Sequence, residues 1–317
     1  RIRTAHHCAV DHRVGGGVVI ATPAWLDRAA WPYTPHSHRT GDGELHYVDE
    51  GSGSPIVLVH GTPTWSFEWR HVIAGLAPRH RVVAIDHLGF GLSERPAHAH
   101  YAPEAHAARF AHFMDARCEA FGAKGPADAI TLVIHDFGGP IALDWALEHL
   151  HAIRRIIVVN SWMWSFTDDP LMSKRAAMID NAFGRLLYRA ANVSLRLIMP
   201  SAYADRRRLT RAIHAQYLAP FTDAASRERV LFALAHALRA SAPFFDTLSA
   251  RCERLAQVPV DIVWGLRDSA FPPAMLERWR AICPHATVHE MAESGHWPHE
   301  EQPEDFVRML RRILGDQ

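Results

Sequence analysis

The sequence predicts an α/β fold: a mostly parallel sheet with helices on both faces and a block of helices inserted at one edge. Three observations carry this. Short strand-like runs at 56–59, 82–85, 130–134, 156–159, 260–264 and 287–291 alternate with stretches of helical period. Three of these runs, at 56–59, 82–85 and 156–159, are continuously apolar and that at 130–134 nearly so, as strands buried on both faces are. From Ser161 to about Leu255 the strand signals stop and amphipathic helical stretches recur, after which strand signals resume.

The chain has 317 residues, enough for one large domain with an insertion or for two domains, and a sizeable core. Its 34 basic and 34 acidic side chains balance, which argues against a nucleic-acid or membrane-surface partner. The 23 histidines are scattered without ligand spacing, so no metal site is read from them. Cys8, Cys118, Cys252 and Cys283 are far apart and form no CxxC pair. No run of 18 apolar residues and no charged-then-apolar leader is present. A cytoplasmic chain with reduced thiols is therefore expected.

Taken in order, residues 1–30 contain Gly15-Gly16-Gly17 and little periodicity, and are expected to form an extension. Leu45 and Tyr47 mark a strand, Ile56 to Val59 the next, and Glu50 to Pro55 between them has hairpin-turn chemistry. The second strand runs into His60-Gly61-Thr62-Pro63-Thr64-Trp65, a loop able to aim an N–H at a ligand. Ser66 is placed to cap a helix through Leu76, with Trp65 and Trp69 packing it on the sheet. After the strand at 82–85 comes Asp86-His87-Leu88-Gly89-Phe90-Gly91-Leu92-Ser93, then a helix from Pro103 to Phe121. Helical stretches at 174–190, 207–217 and 224–239 make up the insertion, and a last helix spans 303–314. The expected division is 31–160 with 256–317 as core and 161–255 as a helical cap.

Val133-Ile134-His135-Asp136-Phe137-Gly138-Gly139 is a strand, a tight turn and a helix start, with an aspartate at the tip. This is the geometry of a nucleophile elbow, with Asp in place of the familiar Ser. Asp136 is also a good helix cap. Asp268 follows the strand at 260–264, and His296 follows the one at 287–291. Singly, Asp268 fits a cap and His296 a turn. Jointly, the three stand in the order nucleophile, acid, histidine at carboxyl ends of strands, where α/β sheets form their sites.

These motifs, with Trp264-Gly265-Leu266-Arg267-Asp268 and Ser294-Gly295-His296, resemble the haloalkane dehalogenase group of the α/β-hydrolase superfamily over residues 30–317. The resemblance implies an α/β-hydrolase fold and an enzyme needing no metal and no organic cofactor, whose partners are a small neutral organic substrate and water. Asp136 would attack an sp³ carbon and form an ester, and His296, oriented by Asp268, would activate water to hydrolyse it. Backbone N–H groups of Thr62 and Phe137 would hold the oxyanion.

The match departs from that family at the leaving group. Its members hold the halide with a Trp after the nucleophile and an Asn after His-Gly, or a second Trp from the cap; here the first two positions are Phe137 and Thr62. Trp162 and Trp164, just past the fourth of the apolar runs, are the candidate replacements, with hinge packing as their alternative role. Asn160, where some members keep the acid, cannot ionise, which leaves Asp268. An epoxide hydrolase would need two cap tyrosines facing Asp136, from Tyr188, Tyr203 and Tyr217. A haloacid enzyme would need an arginine where Phe137 stands. A β-lactone-opening enzyme and a non-catalytic ligand-binding relative remain open.

Overall fold

The computed structural model describes residues 22–118 and 129–316. Eight strands, β1 His36–Arg39, β2 Glu44–Gly51, β3 Pro55–Val59, β4 Arg81–Ile85, β5 Ile130–Asp136, β6 Ile153–Ser161, β7 Val260–Gly265 and β8 Thr287–Met291, form one sheet. Their order is β1-β2-β4-β3-β5-β6-β7-β8. From β4 to β8 all neighbours are parallel, while β1 and β2 are antiparallel additions at one edge. The central strands β3 and β5 are buried along their whole length, which is why they read as largely apolar runs, with Thr131 the one polar residue before the His135-Asp136 end of β5.

Two local expectations change. The turn after β2 does not close a hairpin, because β4 inserts between β2 and β3 and pairs with both. Gly51 is held at φ 79 by this route, and a Cβ there would lie 2.2 Å from the Ala77 carbonyl oxygen. Ser66 does not cap the following helix through its hydroxyl. Its N–H donates to Asp86 Oδ1 at 2.8 Å, and a tight turn, Ser66–Trp69, precedes the helix Arg70–Leu76. The helix from Pro103 is described to Cys118, so its expected end at Phe121 lies outside the described residues, as do Cys8 and residues 1–21.

Between β6 and β7 the chain contains helices and turns and no strand. The helical stretch expected at 174–190 is broken: Pro170–Ile179 stops at Asp180, and the Asn181 side chain caps a new helix, accepting from Phe183 and Gly184 N–H. Further helices follow at Arg211–Leu218, Ala233–Ala240 and Ala242–Ser249. Residues ahead of β1 bind this segment too: Asp27 N–H donates to Gln216 Oε1, and Gln216 Nε2 donates to the Trp25 carbonyl. Trp31 and Trp65, both buried, meet edge to face above them.

Among the described residues no helix is long and apolar enough to cross a membrane, and Cys118, Cys252 and Cys283 are free thiols.

Candidate active site

β5 ends in an aspartate whose backbone is forced into the left-handed region, φ 48, a conformation a non-glycine residue adopts only when its surroundings demand it. The demand comes from the close fit of the turn. A Cβ on Gly138 would sit 2.4 Å from the Val59 carbonyl oxygen, and one on Gly139 would sit 1.8 Å from Ser161 Oγ. The Ser161 hydroxyl donates to the Asp136 carbonyl at 2.6 Å and pins the tip to β6. No side chain caps the helix Gly138–Ala146. The Asp136 carboxylate instead faces the loop after β3, where Thr62 N–H donates to Oδ1 at 2.8 Å. Gly61 permits this approach, since a Cβ there would collide with Asp136 Oδ1 at 2.3 Å. Phe137 N–H reaches the same carboxylate.

His296 meets the other oxygen. Its Nε2 lies 3.5 Å from Asp136 Oδ2, and its Nδ1 lies 2.7 Å from Asp268 Oδ2. The three groups expected from strand ends of β5, β7 and β8 thus converge, although 160 residues separate the first from the last. All three are buried. Asp268 also anchors a turn, as its capping chemistry suggested: Oδ1 accepts from Ala270 and Phe271 N–H at 2.7 and 3.0 Å. It does not cap the next helix, which begins at Pro273.

Burial works against every charge here, and the partners decide the outcome. For His296 burial favours the neutral ring, but Asp268 and the hydrogen bonds to Asp136 and Asp268 override it and push the imidazole up to about 10. For Asp136 burial favours the acid, but His296 and the nearby His135 hold its carboxyl below the ordinary value. The imidazole thus lies between two carboxyl groups, Asp136 and Asp268, that both favour its protonated form. Oδ1 of Asp136 is held by the Thr62 amide, while Oδ2 faces His296 Nε2.

Asp136, Phe137, Thr62 and His296 form the floor of a cavity of about 330 Å³. Its roof is supplied by the segment between β6 and β7, through Met172, Ile179, Ile198, Leu231 and Ala235 among others. Of the two expected indoles, Trp162 lines this cavity, packed edge-on against Phe137 at 4.8 Å, and its buried N–H has no partner among the described residues. Trp164 is not at the cavity wall. Its ring meets Trp279 edge to face and lies 4.6 Å, centre to guanidinium, from Arg278, contacts that favour the packing alternative.

The three tyrosines between β6 and β7 divide in the same way. Tyr203 and Tyr217 donate to Glu300, Oε2 at 3.2 Å and Oε1 at 2.6 Å, alongside the Arg70 guanidinium that ion-pairs with it. Tyr188 alone of the three lines the cavity, hydrogen-bonded with Ser194. Two tyrosine hydroxyls facing Asp136 are therefore not found.

Several residues escaped the sequence reading. Asn160, considered only as a missing acid, donates to Asp268 Oδ2 at 2.7 Å and accepts Gly265 N–H at 2.8 Å, joining the acid to the ends of β6 and β7. Its φ of 33 was the legible trace only in three dimensions. Trp297, directly after His296, also lines the cavity, and no local pattern in the sequence marks it. Glu68, His135 and His299, all buried, have donor atoms within 4.8 Å of one another, near enough to hold a cation. Glu68 already accepts from Thr64 and faces His135 Nδ1 at 3.1 Å, so a cation would have to displace hydrogen bonds.

An elbow aspartate, a histidine and a third-strand acid at the carboxyl edge of a parallel sheet define an α/β-hydrolase. A family model for the α/β hydrolase fold matches residues 54–303, and the chain belongs to that family, in its haloalkane dehalogenase-like group. It is 30% identical over 288 residues to cis-3-alkyl-4-alkyloxetan-2-one decarboxylase from Shewanella oneidensis, covering 89% of each chain. It is 30% identical over 291 residues to haloalkane dehalogenase 2 of Mycobacterium tuberculosis, covering 91% of this chain and 98% of that one. The solved haloalkane dehalogenase DatA of Agrobacterium tumefaciens C58 superposes with a TM-score of 0.74 at 24% identity, over 89% of this chain and 96% of its own.

Proposed function

We propose that this enzyme hydrolyses small electrophilic organic molecules through an ester on Asp136, with alkyl halides as the first substrate class and residues 161–255 as the cap. The observation that carries this is the hydrogen-bonded line Asp136, His296, Asp268 at the floor of an apolar cavity. A carboxylate nucleophile suits attack on an sp³ carbon, where no carbonyl is available for addition. Asp136 Oδ2 attacks the carbon, the carbon–halogen bond breaks, and halide leaves with its electron pair while Thr62 N–H holds Oδ1. The Trp162 N–H is the donor nearest in kind to a halide ligand. A neutral substrate binds largely by leaving water for the apolar roof.

Esterification removes the charge of Asp136, one of the two anions that keep His296 protonated. The imidazole value falls, the proton departs as the counterpart of the halide, and Nε2 becomes free to act as base. It takes a proton from water as the oxygen attacks the Asp136 carboxyl carbon, and the Thr62 and Phe137 amides hold the oxyanion, one such donor typically contributing about 3 kcal/mol. Collapse releases the alcohol and restores the carboxylate.

A second reading, opening of β-lactones, is favoured by one observation: Phe137 and Thr62 offer no side-chain N–H to a departing halide, which leaves that task to the unpartnered indoles of Trp162 and Trp297 at the cavity wall. In a four-membered lactone, attack at the ring sp³ carbon expels a carboxylate that stays attached to the substrate, so no separate anion site is needed. Loss of CO₂ from that intermediate would form an alkene and return Asp136 as a free carboxylate. The positions of Tyr203 and Tyr217 weigh against the epoxide reading.

The test is His296→Ala incubated in parallel with alkyl bromides and with a cis-3,4-dialkyl oxetan-2-one. A covalent adduct on the Asp136 peptide with stoichiometric bromide release is expected from the halides. Alkene from the lactone without halide activity in the wild type would move the second reading ahead. Absence of any adduct or product from either panel would sink both.

A further inference from the structure

Behind the nucleophile lies a second carboxylate–histidine pair that the proposed chemistry leaves unused. His135 is the residue before Asp136 on β5, and Glu68 comes from the turn Ser66–Trp69; both are fully buried. His135 Nδ1 faces Glu68 Oε1 at 3.1 Å, and the Thr64 hydroxyl donates to the other carboxylate oxygen. On its far side, His135 Nε2 donates at 2.9 Å to a main-chain carbonyl, that of His296.

His296 needs such a hold. It sits on the loop beyond β8, where no strand ladder fixes the main chain. Asp268 grips the ring at Nδ1, which sets its rotation but not the location of its Cα. The main chain is held at two points: the His296 N–H donates to the Ala202 carbonyl at 3.0 Å, and its own carbonyl accepts from His135. The second point belongs to the residue adjacent to the nucleophile. The separation of base and nucleophile is therefore tied by one side chain on the nucleophile's own strand, itself locked by Glu68.

We propose that Glu68 and His135 are positioning residues that set the approach of His296 to the ester on Asp136, acting in ester hydrolysis and not in ester formation. This rests on the aspartyl-ester reading. Forming the ester requires only the Asp136 carboxylate and its amide donors, whereas hydrolysis requires Nε2, a water and the carboxyl carbon in register. A misplacement of about 1 Å in such an assembly costs about 100-fold in rate.

The experiment is single-turnover quench-flow of the full chain with 1-bromohexane, following ester formation and ester decay on Asp136 by intact mass. Rate constants are independent of the folded fraction, which affects only amplitudes. In His135→Phe, decay is expected to slow about 10- to 100-fold and ester to accumulate, with formation within about twofold of wild type. Glu68→Gln, which keeps an acceptor oxygen, should slow decay by less than about tenfold and carries the test if His135→Phe does not fold. Equal losses in both steps, or decay unchanged in both variants, would overturn the proposal. Failure of the parent reading has a different signature, the absence of ester in His296→Ala.

Discussion

The two walls of the cavity are built on opposite plans. On the floor, at the sheet edge, the acidic and basic side chains are engaged: Asp136 by Thr62, Phe137 and His296, Asp268 by His296, Asn160 and two amides. On the roof, apolar side chains such as Met172, Ile198 and Leu231 predominate; Tyr203 and Tyr217 are spent on Glu300, while Tyr188, Ser194 and Arg175 are the polar residues that reach the cavity. The difference teaches how the proposed reading divides the labour: the reaction type falls to a polar floor, where charges are dear to bury and must be fixed by partners. Substrate choice then falls to the mainly apolar helical roof.

That contrast is open to direct attack. The largest effect is expected from Asp136→Asn: turnover should fall by about four orders of magnitude or more, because no other side chain on the floor can take the nucleophile's part. Full turnover by this variant would mean the floor does not hold the chemistry. Glu300→Ala strikes the support under the roof instead. It leaves the Arg70 guanidinium buried and unpaired, and a loss of about 3–5 kcal/mol in urea unfolding is expected. A change below about 1 kcal/mol would show that the buried pair is replaceable.

Trp162→Phe keeps the ring against Phe137 and deletes one N–H. If that N–H receives the halide, kcat/KM for alkyl bromides drops about tenfold, the value of roughly one hydrogen bond, while lactone opening is untouched. Equal effects on both substrates would remove Trp162 from the leaving-group site. The smallest effect is in pH. The His296 value is raised from 6.5 to about 10, so the proton it carries stabilises the folded state fully below about pH 6.5, and this contribution is lost as pH climbs to about 10. The Tm advantage of wild type over His296→Gln should therefore shrink across that window. Asp136→Asn should lower the His296 value, followed by NMR titration of the ring.

What could be read in advance follows the reach of each interaction. Largely apolar runs announced β3 to β7, interrupted only by Thr131 in β5 and Asp261 in β7, because burial on both faces leaves its mark residue by residue. β1, His36–Arg39, carries no such mark, since an edge strand of polar residues looks like loop. The turn after β2 has hairpin chemistry, but β4, some 30 residues on, took the place beside β2. Trp162 and Trp164 are indistinguishable in the sequence, and packing by Trp279 and Arg278 separated them. The tyrosines were legible as candidates but not as donors to Glu300, a residue nearly 100 positions from Tyr203.

The sequence by itself determined the fold class, the elbow and the order of Asp136, Asp268 and His296, because strand burial, turn sterics and strand-end placement are local and periodic. The tertiary structure alone decided which oxygen of Asp136 meets the Thr62 amide and which meets His296, that Asn160 and His135 brace the acid and the base, and which aromatic rings reach the cavity. Those depend on distances between residues far apart in the chain, and a hydrogen bond is made or lost within about half an ångström.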